Sequence, residues 1–178
     1  MSFSKFICAF LLLVTTGCGS DLLPSGHDQR PPVQAGTFGA QVGQLAPDFT
    51  VYDSLGNTVT LSSVLSPPTS GVVLYFTMWC PVCTSNMDAI QGIMPGYQPR
   101  IAFFAVDYVS ATVAQARAEE MAYGLGSGFI VLADTNRDIL QNYNATMDIT
   151  VVIDKNGVIR MNETFKSDKL QSVLAGLP

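Results

Sequence analysis

The order of strand-like and helical segments predicts an α/β sandwich built around a mixed central sheet. Two runs, Val72 to Phe76 and Ile101 to Val106, are continuously apolar and rich in β-branched and aromatic residues, which is typical of strands buried on both faces. A stretch of helix formers follows each run. The chain then closes with an Asn156-Gly157 hairpin signal and a final helix, so the sheet should contain antiparallel as well as parallel strands.

The remaining elements follow in chain order from turn residues and helix stop signals. Two β-prone runs flank the turn at Ser54 to Asn57, which predicts a hairpin, and Gly124 marks the end of a helix. The final helix should be capped by Ser167 or Asp168. The predicted strands are 49–52, 58–61, 72–76, 101–106, 129–133, 151–154 and 158–161, and the predicted helices are 81–94, 114–123, 137–143 and 167–174.

Composition supports a folded domain and excludes one class of partner. Hydrophobic residues make up 48% of the 178 residues and charged residues only 13%, and the formal net charge is −5. Such a chain can bury a sizeable core. Because Lys and Arg form no run, nucleic acid is not an expected partner.

The first residues have the pattern of a secretory signal. Lys5 supplies a positive charge, Ile7 to Val14 form a short apolar region, and the small residues Thr15-Thr16-Gly17 precede Cys18. The apolar region is too short for an ordinary membrane-spanning helix. The triplet before Cys18 resembles the lipobox of bacterial lipoproteins, which implies a signal peptide over 1–17 and lipidation of Cys18. The alternative is ordinary cleavage nearby, which leaves Cys18 as a free thiol.

Residues 18–44 read as a flexible tether, and residues 45–178 as the domain. The tether is rich in Pro, Gly and Ser, has no apolar period, and contains His27, the only histidine of the chain. We expect His27 to be a solvated linker residue. We expect the protein to be lipid-anchored in the cell envelope and to face the periplasm. If the host is Gram-negative, Gly19 after the lipidated cysteine resembles the signal for outer-membrane sorting, which favours the outer membrane over the inner.

Cys80 and Cys83 are the candidate redox site. Cys8 is lost with the signal and Cys18 is lipidated, so these two are the only thiols left in a compartment where disulfides persist. The Cys-x-x-Cys spacing at a helix start suits an attacking thiolate at Cys80, stabilised by free backbone N–H groups, and a resolving thiol at Cys83. Pro81 suits the first helical position.

Other uses of this spacing fit less well. Haem attachment needs a histidine where Thr84 stands, and a structural zinc site needs four ligands. An inert structural disulfide is a further alternative. No glycine-rich phosphate loop follows a strand, so nucleotide or flavin binding is not indicated. We expect no cofactor besides the Cys80–Cys83 pair.

The chain resembles the redoxin branch of the thioredoxin superfamily. The residues that carry the likeness are the Ala46-Pro47-Asp48-Phe49 opening, the hairpin around Gly56, the strand Val72 to Phe76, the Trp79-Cys80-x-x-Cys83 element and the Val152 to Ile159 segment. The nearest likeness is to membrane-tethered thiol–disulfide oxidoreductases of the TlpA and ResA type. The resemblance implies a thioredoxin-like three-layer sandwich with an N-terminal hairpin extension. It also implies exchange with protein thiols of the cell envelope and a membrane electron donor of the DsbD or CcdA kind.

The chain departs from that family at the edge of the expected substrate groove. The family usually has a cis-proline beside the active cysteines, and its place, counted back from Asp154, holds Asp148. Met147 and Asp148 should then border the groove, where a carboxylate disfavours the Cys80 thiolate; alternatively, Asp148 is a solvent-facing loop residue away from sulfur. Leu74 stands where thioredoxin has a buried acid, so no base for Cys83 is evident. We expect a reductant or transfer protein.

Three rival functions remain open. Thr77 and Cys80 match part of the peroxiredoxin signature, but Val73 and Asp148 stand where its proline and arginine would be. A copper-handling module could use the two thiolates and a thioether, from Met78, Met87 or Met147. An inert binding domain with a vestigial disulfide is the third. Trp79 is interpreted as a cover over the thiol and an apolar platform for a protein substrate, with a plug at the sheet edge as the alternative.

Overall fold

The computed structural model describes residues 33–125 and 128–178, and its centre is a seven-stranded mixed sheet. The order across the sheet is β2-β1-β5-β4-β3-β6-β7. Strands β3, β4 and β5 are parallel, and the other neighbouring pairs are antiparallel. The predicted α/β class with a mixed sheet and an N-terminal hairpin is confirmed. The strands are β1 (Thr50–Asp53), β2 (Thr58–Thr60), β3 (Gly71–Thr77), β4 (Ile101–Asp107), β5 (Ile130–Ala133), β6 (Ile149–Asp154) and β7 (Ile159–Thr164).

Five helices join the strands in the described part of the chain, and the last four were predicted. They are α1 (Leu61–Val64), α2 (Pro81–Ile93), α3 (Val113–Tyr123), α4 (Asp138–Asn142) and α5 (Ser167–Ala175). A 3₁₀ turn, Met94–Gly96, extends α2. The prediction of a Ser167 or Asp168 cap is wrong, because the N-cap of α5 is Lys166 and makes no side-chain hydrogen bond. Within residues 33–125 and 128–178, the helices fall short of the length and apolarity needed to cross a membrane.

The alternation of side chains along β3 divides the core into two layers. Val73 and Tyr75 point to the face that also buries Cys83 and Met87 of α2. Phe76, on the other face, packs in a second cluster with residues of α4 and the β1–β2 hairpin. Every residue of β3 is buried, because helices or loops cover the sheet on both sides. The three-layer arrangement holds the end of β3 rigidly, and α2 begins from that end.

Two loops meet at the edge of the sheet where β3 ends. Since β6 runs antiparallel to β3, with Tyr75 opposite Thr150, the residues that precede β6 lie beside those that follow β3. The Asp148 N–H donates to the Phe76 carbonyl at 3.0 Å. This pairing brings Met147 and Asp148 to the cysteine motif from 67 residues further along the chain.

The buried carboxylate of Asp154 organises the turn between β6 and β7, at the opposite end of the strands. The side chain of Asp154 accepts hydrogen bonds from the Asn156 and Val158 N–H groups, at 2.8 and 3.0 Å, and it pairs with Arg160 at 2.6 Å. Gly157 has a φ of +77°, which glycine adopts without steric cost. The Asn-Gly turn predicted from the sequence is therefore held by the acid that precedes it.

The segment just before the predicted domain start pairs with the domain. The Gly43 N–H donates to the Ile159 carbonyl at 2.9 Å, and the Asn162 amide donates to the Ala40 carbonyl at 2.7 Å. Most of the tether predicted over 18–44 lies outside the described residues. The signal peptide predicted over 1–17, Cys18 and His27 lie there as well, so those assignments stay predictions.

Candidate active site

Cys80 occupies the N-cap of α2 and forms a disulfide with Cys83. Its backbone is extended, with φ −81° and ψ 162°, and Pro81 takes the first helical position. The Cys83 N–H donates to the Cys80 Sγ at 3.2 Å. When the pair is reduced, the same N–H and the positive end of the helix favour a thiolate at Cys80.

The two sulfurs differ in their access to solvent. Cys80 is partly exposed, whereas Cys83 is fully buried among the residues packed beneath α2. An incoming disulfide can therefore reach Cys80 but not Cys83. This is the division that an attacking and a resolving thiol require, and these roles of the two cysteines stay predictions.

Trp79 lies in the core and is not a platform. Its side chain is only 5% exposed and stacks on Tyr123, with ring centroids 5.4 Å apart and an interplanar angle of 27°. The Tyr123 hydroxyl donates to the Trp79 carbonyl. A φ of +59° turns the chain inward at this residue, a left-handed conformation that costs a non-glycine residue about 1–3 kcal/mol. The interpretation of Trp79 as an apolar platform for a protein substrate is therefore wrong, and its interpretation as a cover over the thiol stays a prediction.

Other apolar side chains form the exposed surface next to the disulfide. We define the rim as four partly exposed residues at this edge of the sheet. Tyr123 belongs to it through its stacking on Trp79, and Met147 through its contact with Cys80. A rim of this kind suits a protein substrate with apolar residues beside its own disulfide. Its members are Met78, Val82, Tyr123 and Met147.

Met147 lies against Cys80. Its Sδ is 3.5 Å from the Cys80 Sγ, and its side chain is 40% exposed. Asp148, which stands at the position of the family's cis-proline, has a φ of +72°. Its N–H donates to Phe76, and its carbonyl accepts from the Phe165 N–H at 2.9 Å. Met147 thus lies at the cysteine motif, and the prediction that Met147 and Asp148 border a substrate groove stays a prediction.

The Asp148 carboxylate points into the protein. Its Oδ1 accepts hydrogen bonds from the Tyr75 hydroxyl at 3.1 Å and from the Asn86 side-chain amide at 2.5 Å, and the residue is half-buried. The alternative of a solvent-facing loop residue is therefore wrong. We call these three side chains the Tyr75–Asn86–Asp148 network.

Tyr75 and Asn86 were not among the residues predicted for the site. Tyr75 belongs to a continuous apolar run, and Asn86 follows Cys83 by one helical turn. Burial of the phenol, together with the neighbouring Asp148 carboxylate, raises the pKa of Tyr75 well above its ordinary value. The hydroxyl therefore stays protonated and donates to Asp148. The i, i+3 spacing of Cys83 and Asn86 is the one sequence signal that could have pointed to the network.

The usual metal-ligating side chains do not cluster in the described residues. Within 33–125 and 128–178, no group of three or more His, Cys, Asp and Glu side chains could hold a metal ion. The side chain that contacts the Cys80 sulfur is instead the thioether of Met147.

Comparisons with known proteins agree with this geometry. The sequence model of the AhpC/TSA family matches residues 42–162. Thioredoxin-like protein YneN of Bacillus subtilis is 27% identical over 157 residues, which cover 88% of this chain and 87% of that protein. Peroxiredoxin 2 of Thermoplasma acidophilum is 30% identical over 132 residues, or 67% of this chain and 64% of that protein.

A solved structure confirms the thioredoxin-like fold. The thioredoxin domain of a thiol–disulfide oxidoreductase from Bacteroides vulgatus superposes with a TM-score of 0.63 at 17% identity. The match covers 78% of this chain and 99% of that one. At this identity the likeness establishes the fold alone.

Proposed function

Because the chain belongs to the AhpC/TSA family of thioredoxin-like oxidoreductases, we propose that its Cys80–Cys83 pair reduces or exchanges disulfides of proteins in the cell envelope. Oxidoreductases of this kind work through a redox-active cysteine pair without a further cofactor. The chain is thus a thiol–disulfide oxidoreductase, and the proposal concerns its substrates, its direction and its location.

The observation that supports the proposal most directly is the unequal access of the two sulfurs. Cys80 is partly exposed at the N-cap of α2, Cys83 is buried behind it, and Met147 of the apolar rim contacts the Cys80 sulfur. A rim of large apolar side chains is of little use to a small polar substrate, but it matches the surface of a protein. The substrate proposed is therefore a protein disulfide.

In the proposed reaction, the Cys80 thiolate attacks one sulfur of the substrate disulfide. The substrate S–S bond breaks, a mixed disulfide forms, and the first substrate thiolate leaves and takes a proton. Cys83 then loses its proton to hydroxide or to a partner and attacks the Cys80 Sγ, which releases the second substrate thiol. Two electrons and two protons reach the substrate, and the Cys80–Cys83 disulfide is formed.

A reductant must return those electrons after each turnover. We propose a membrane donor of the DsbD or CcdA kind for this step, and a lipid anchor at Cys18 that holds the chain in the cell envelope. The supporting observations are the signal-like residues 1–17, the small residues before Cys18 and the Pro- and Gly-containing segment that follows. Incorporation of labelled palmitate should occur in the full chain and be lost in Cys18→Ser; labelling that survives this substitution would contradict the anchor.

The reduction potential of the cysteine pair is the first test of direction. The full chain is equilibrated in glutathione or dithiothreitol buffers, and the free thiols are trapped with an alkylating reagent of known mass. A reversible two-electron transition near −270 mV would support a reductant, whereas a value near −120 mV would indicate a disulfide-forming oxidase. Absence of a reversible couple would contradict the proposal.

A trapping experiment tests the proposed substrate class. Cys83→Ser should accumulate mixed disulfides with envelope proteins, because the resolving thiol is missing, and they should disappear on reduction. The matched control is Cys80→Ser, in which the remaining thiol of the pair is the buried Cys83. If the two variants trap proteins equally, the assignment of Cys80 as the attacking thiol is wrong.

A thiol peroxidase is the second candidate, favoured by the similarity to Peroxiredoxin 2 of Thermoplasma acidophilum. Two positions argue against it. Val73 is buried where the peroxiredoxin signature has proline, and Asp148 brings a carboxylate where the signature would supply arginine. A developing peroxide anion would therefore lack its stabilising charge. Turnover of hydrogen peroxide with a dithiol donor should not exceed that of a free thiol; a clearly faster rate that depends on Cys80 would favour the peroxidase.

A further inference from the structure

We propose that the reduced form of this site binds one Cu(I) ion through the sulfurs of Cys80, Cys83 and Met147. This function goes beyond disulfide exchange and requires only that the cysteine pair can be reduced. It rests on the 3.5 Å contact between the Met147 Sδ and the Cys80 Sγ. The contact places a third sulfur beside the two of the disulfide.

The spacing of the sulfurs fits a trigonal site. If each metal–sulfur bond has about the length of a zinc–thiolate bond, about 2.3 Å, three sulfurs around one ion lie about 4 Å from one another. The Met147 and Cys80 sulfurs are 3.5 Å apart, so a shift of about half an ångström brings them to that spacing. Reduction breaks the bond between the Cys80 and Cys83 sulfurs and lets them separate to a similar distance. The ion that we propose lies between these three sulfurs.

The chemistry of these donors selects the metal. Thiolate and thioether sulfurs are soft ligands and favour Cu(I), whereas a structural zinc site uses four nitrogen or sulfur ligands. The described residues bring no third His, Cys, Asp or Glu to the pair. The Oδ1 of the Asp148 carboxylate accepts hydrogen bonds from Tyr75 and Asn86. The donor set that we propose is sulfur alone.

Fixed neighbours hold Met147 in place. Asp148, the next residue, is bound to Phe76 and Phe165 through its backbone and to the Tyr75–Asn86–Asp148 network through its side chain. The Met147 side chain is 40% exposed, so an ion can enter from solvent between it and Cys80. Met87, in contrast, is fully buried, and Met78 is 44% exposed on the rim.

The proposed binding step balances without a change of copper oxidation state. A dithiol donor first gives two electrons and two protons to the Cys80–Cys83 disulfide and is itself oxidised to a disulfide. Cu(I) then binds both cysteine sulfurs as thiolates and takes the Met147 thioether as its third ligand. Both protons from the donor go to solvent, one when the Cys80 thiolate forms and one from Cys83 when the ion binds.

Competition titration with Cu(I) alone tests the site. The full chain is reduced with a phosphine, freed of it under argon, and titrated against a chromogenic Cu(I) chelator. Cys80→Ser/Cys83→Ser, which keeps Cys8 and Cys18, measures the background. We expect one ion per chain above that background, and we expect Met147→Leu to weaken binding by about tenfold or more. The matched control, Met78→Leu, should bind within about twofold of wild type.

X-ray absorption then counts the ligands. Wild type should show three sulfurs at about 2.3 Å, and Met147→Leu should show two. Thiol trapping before the titration establishes that every variant other than the double serine carries two reduced thiols at the site. Equal affinity in wild type and Met147→Leu overturns the proposal, as does wild-type binding no tighter than in the double serine variant. Neither result bears on disulfide exchange, which the trapping and potential experiments decide separately.

Discussion

Replacement of Tyr75 with Phe should lower the free energy of unfolding by about 2 kcal/mol. The substitution keeps the buried ring, so it opens no cavity of consequence, and it removes one of the two hydrogen bonds that the Asp148 Oδ1 accepts. A hydrogen bond to a charged group contributes about 1.5–3 kcal/mol. Because Asp148 is half-buried and keeps its bond from Asn86, we expect the lower half of that range.

The assay is urea unfolding of the oxidised protein, with a thermal melt beside it. For a domain of this size, a loss of 2 kcal/mol corresponds to a fall in Tm of about 4–8 °C. The midpoint in urea should fall without a change in m, since the surface exposed on unfolding is the same. Both measurements need the disulfide intact, because partial reduction breaks two-state behaviour.

Tyr97→Phe is the matched control. The Tyr97 hydroxyl donates to the neutral Gln171 carbonyl at 3.3 Å in an exposed contact, so its removal should cost no more than about 0.5 kcal/mol. If Tyr75→Phe is no more destabilising than Tyr97→Phe, the hydroxyl of Tyr75 does not hold Asp148 in the way described. The account of how Met147 is positioned would then fail with it.

Three further predictions concern stability. Above pH 10 the free energy of unfolding should fall, because burial raises the pKa of Tyr75 and Tyr143, so that the folded state keeps protons which the unfolded state releases. Each tyrosine contributes about 1.4 kcal/mol per pH unit to that slope, and an unchanged slope in Tyr75→Phe would contradict the argument. Trp79→Ala should cost about 3–5 kcal/mol in urea unfolding, as for other buried aromatic side chains; a cost below 1 would mean that the indole is exposed. Asp154→Asn should cost about 2–3 kcal/mol, since it weakens the pair with Arg160 and two backbone hydrogen bonds, and a neutral result would show that the turn forms without the acid.

Local sequence patterns predicted the buried central strands well. The apolar run Val72 to Phe76 became β3 with one more residue at each end, and Ile101 to Val106 gained one residue as β4. Strands buried on both faces are apolar along their whole length, so an apolar run in the sequence marks the strand directly. Helix α1 was missed because its four residues are too few to show a helical period.

The parts of the site that the sequence did not predict depend on contacts between distant residues. Asp148 meets Tyr75 across 73 residues and Asn86 across 62, and no spacing rule covers such separations. The cysteine motif alone predicts a redox pair, because its spacing and its helix start are local. Trp79 was misplaced for the same reason: its indole is buried against Tyr123, 44 residues further along the chain.

The burial of Trp79 gives this protein an optical signal of its own redox state. It is the only tryptophan in the chain, and it packs in the same cluster as Cys83, beside the disulfide. A disulfide in contact with an excited indole accepts an electron from it and quenches its emission, whereas two thiols do so far less. Emission from Trp79 should therefore be blue-shifted, as for an indole shielded from water, and should brighten when the pair is reduced. The oxidation state of the cysteine pair should thus be measurable in real time without any added dye.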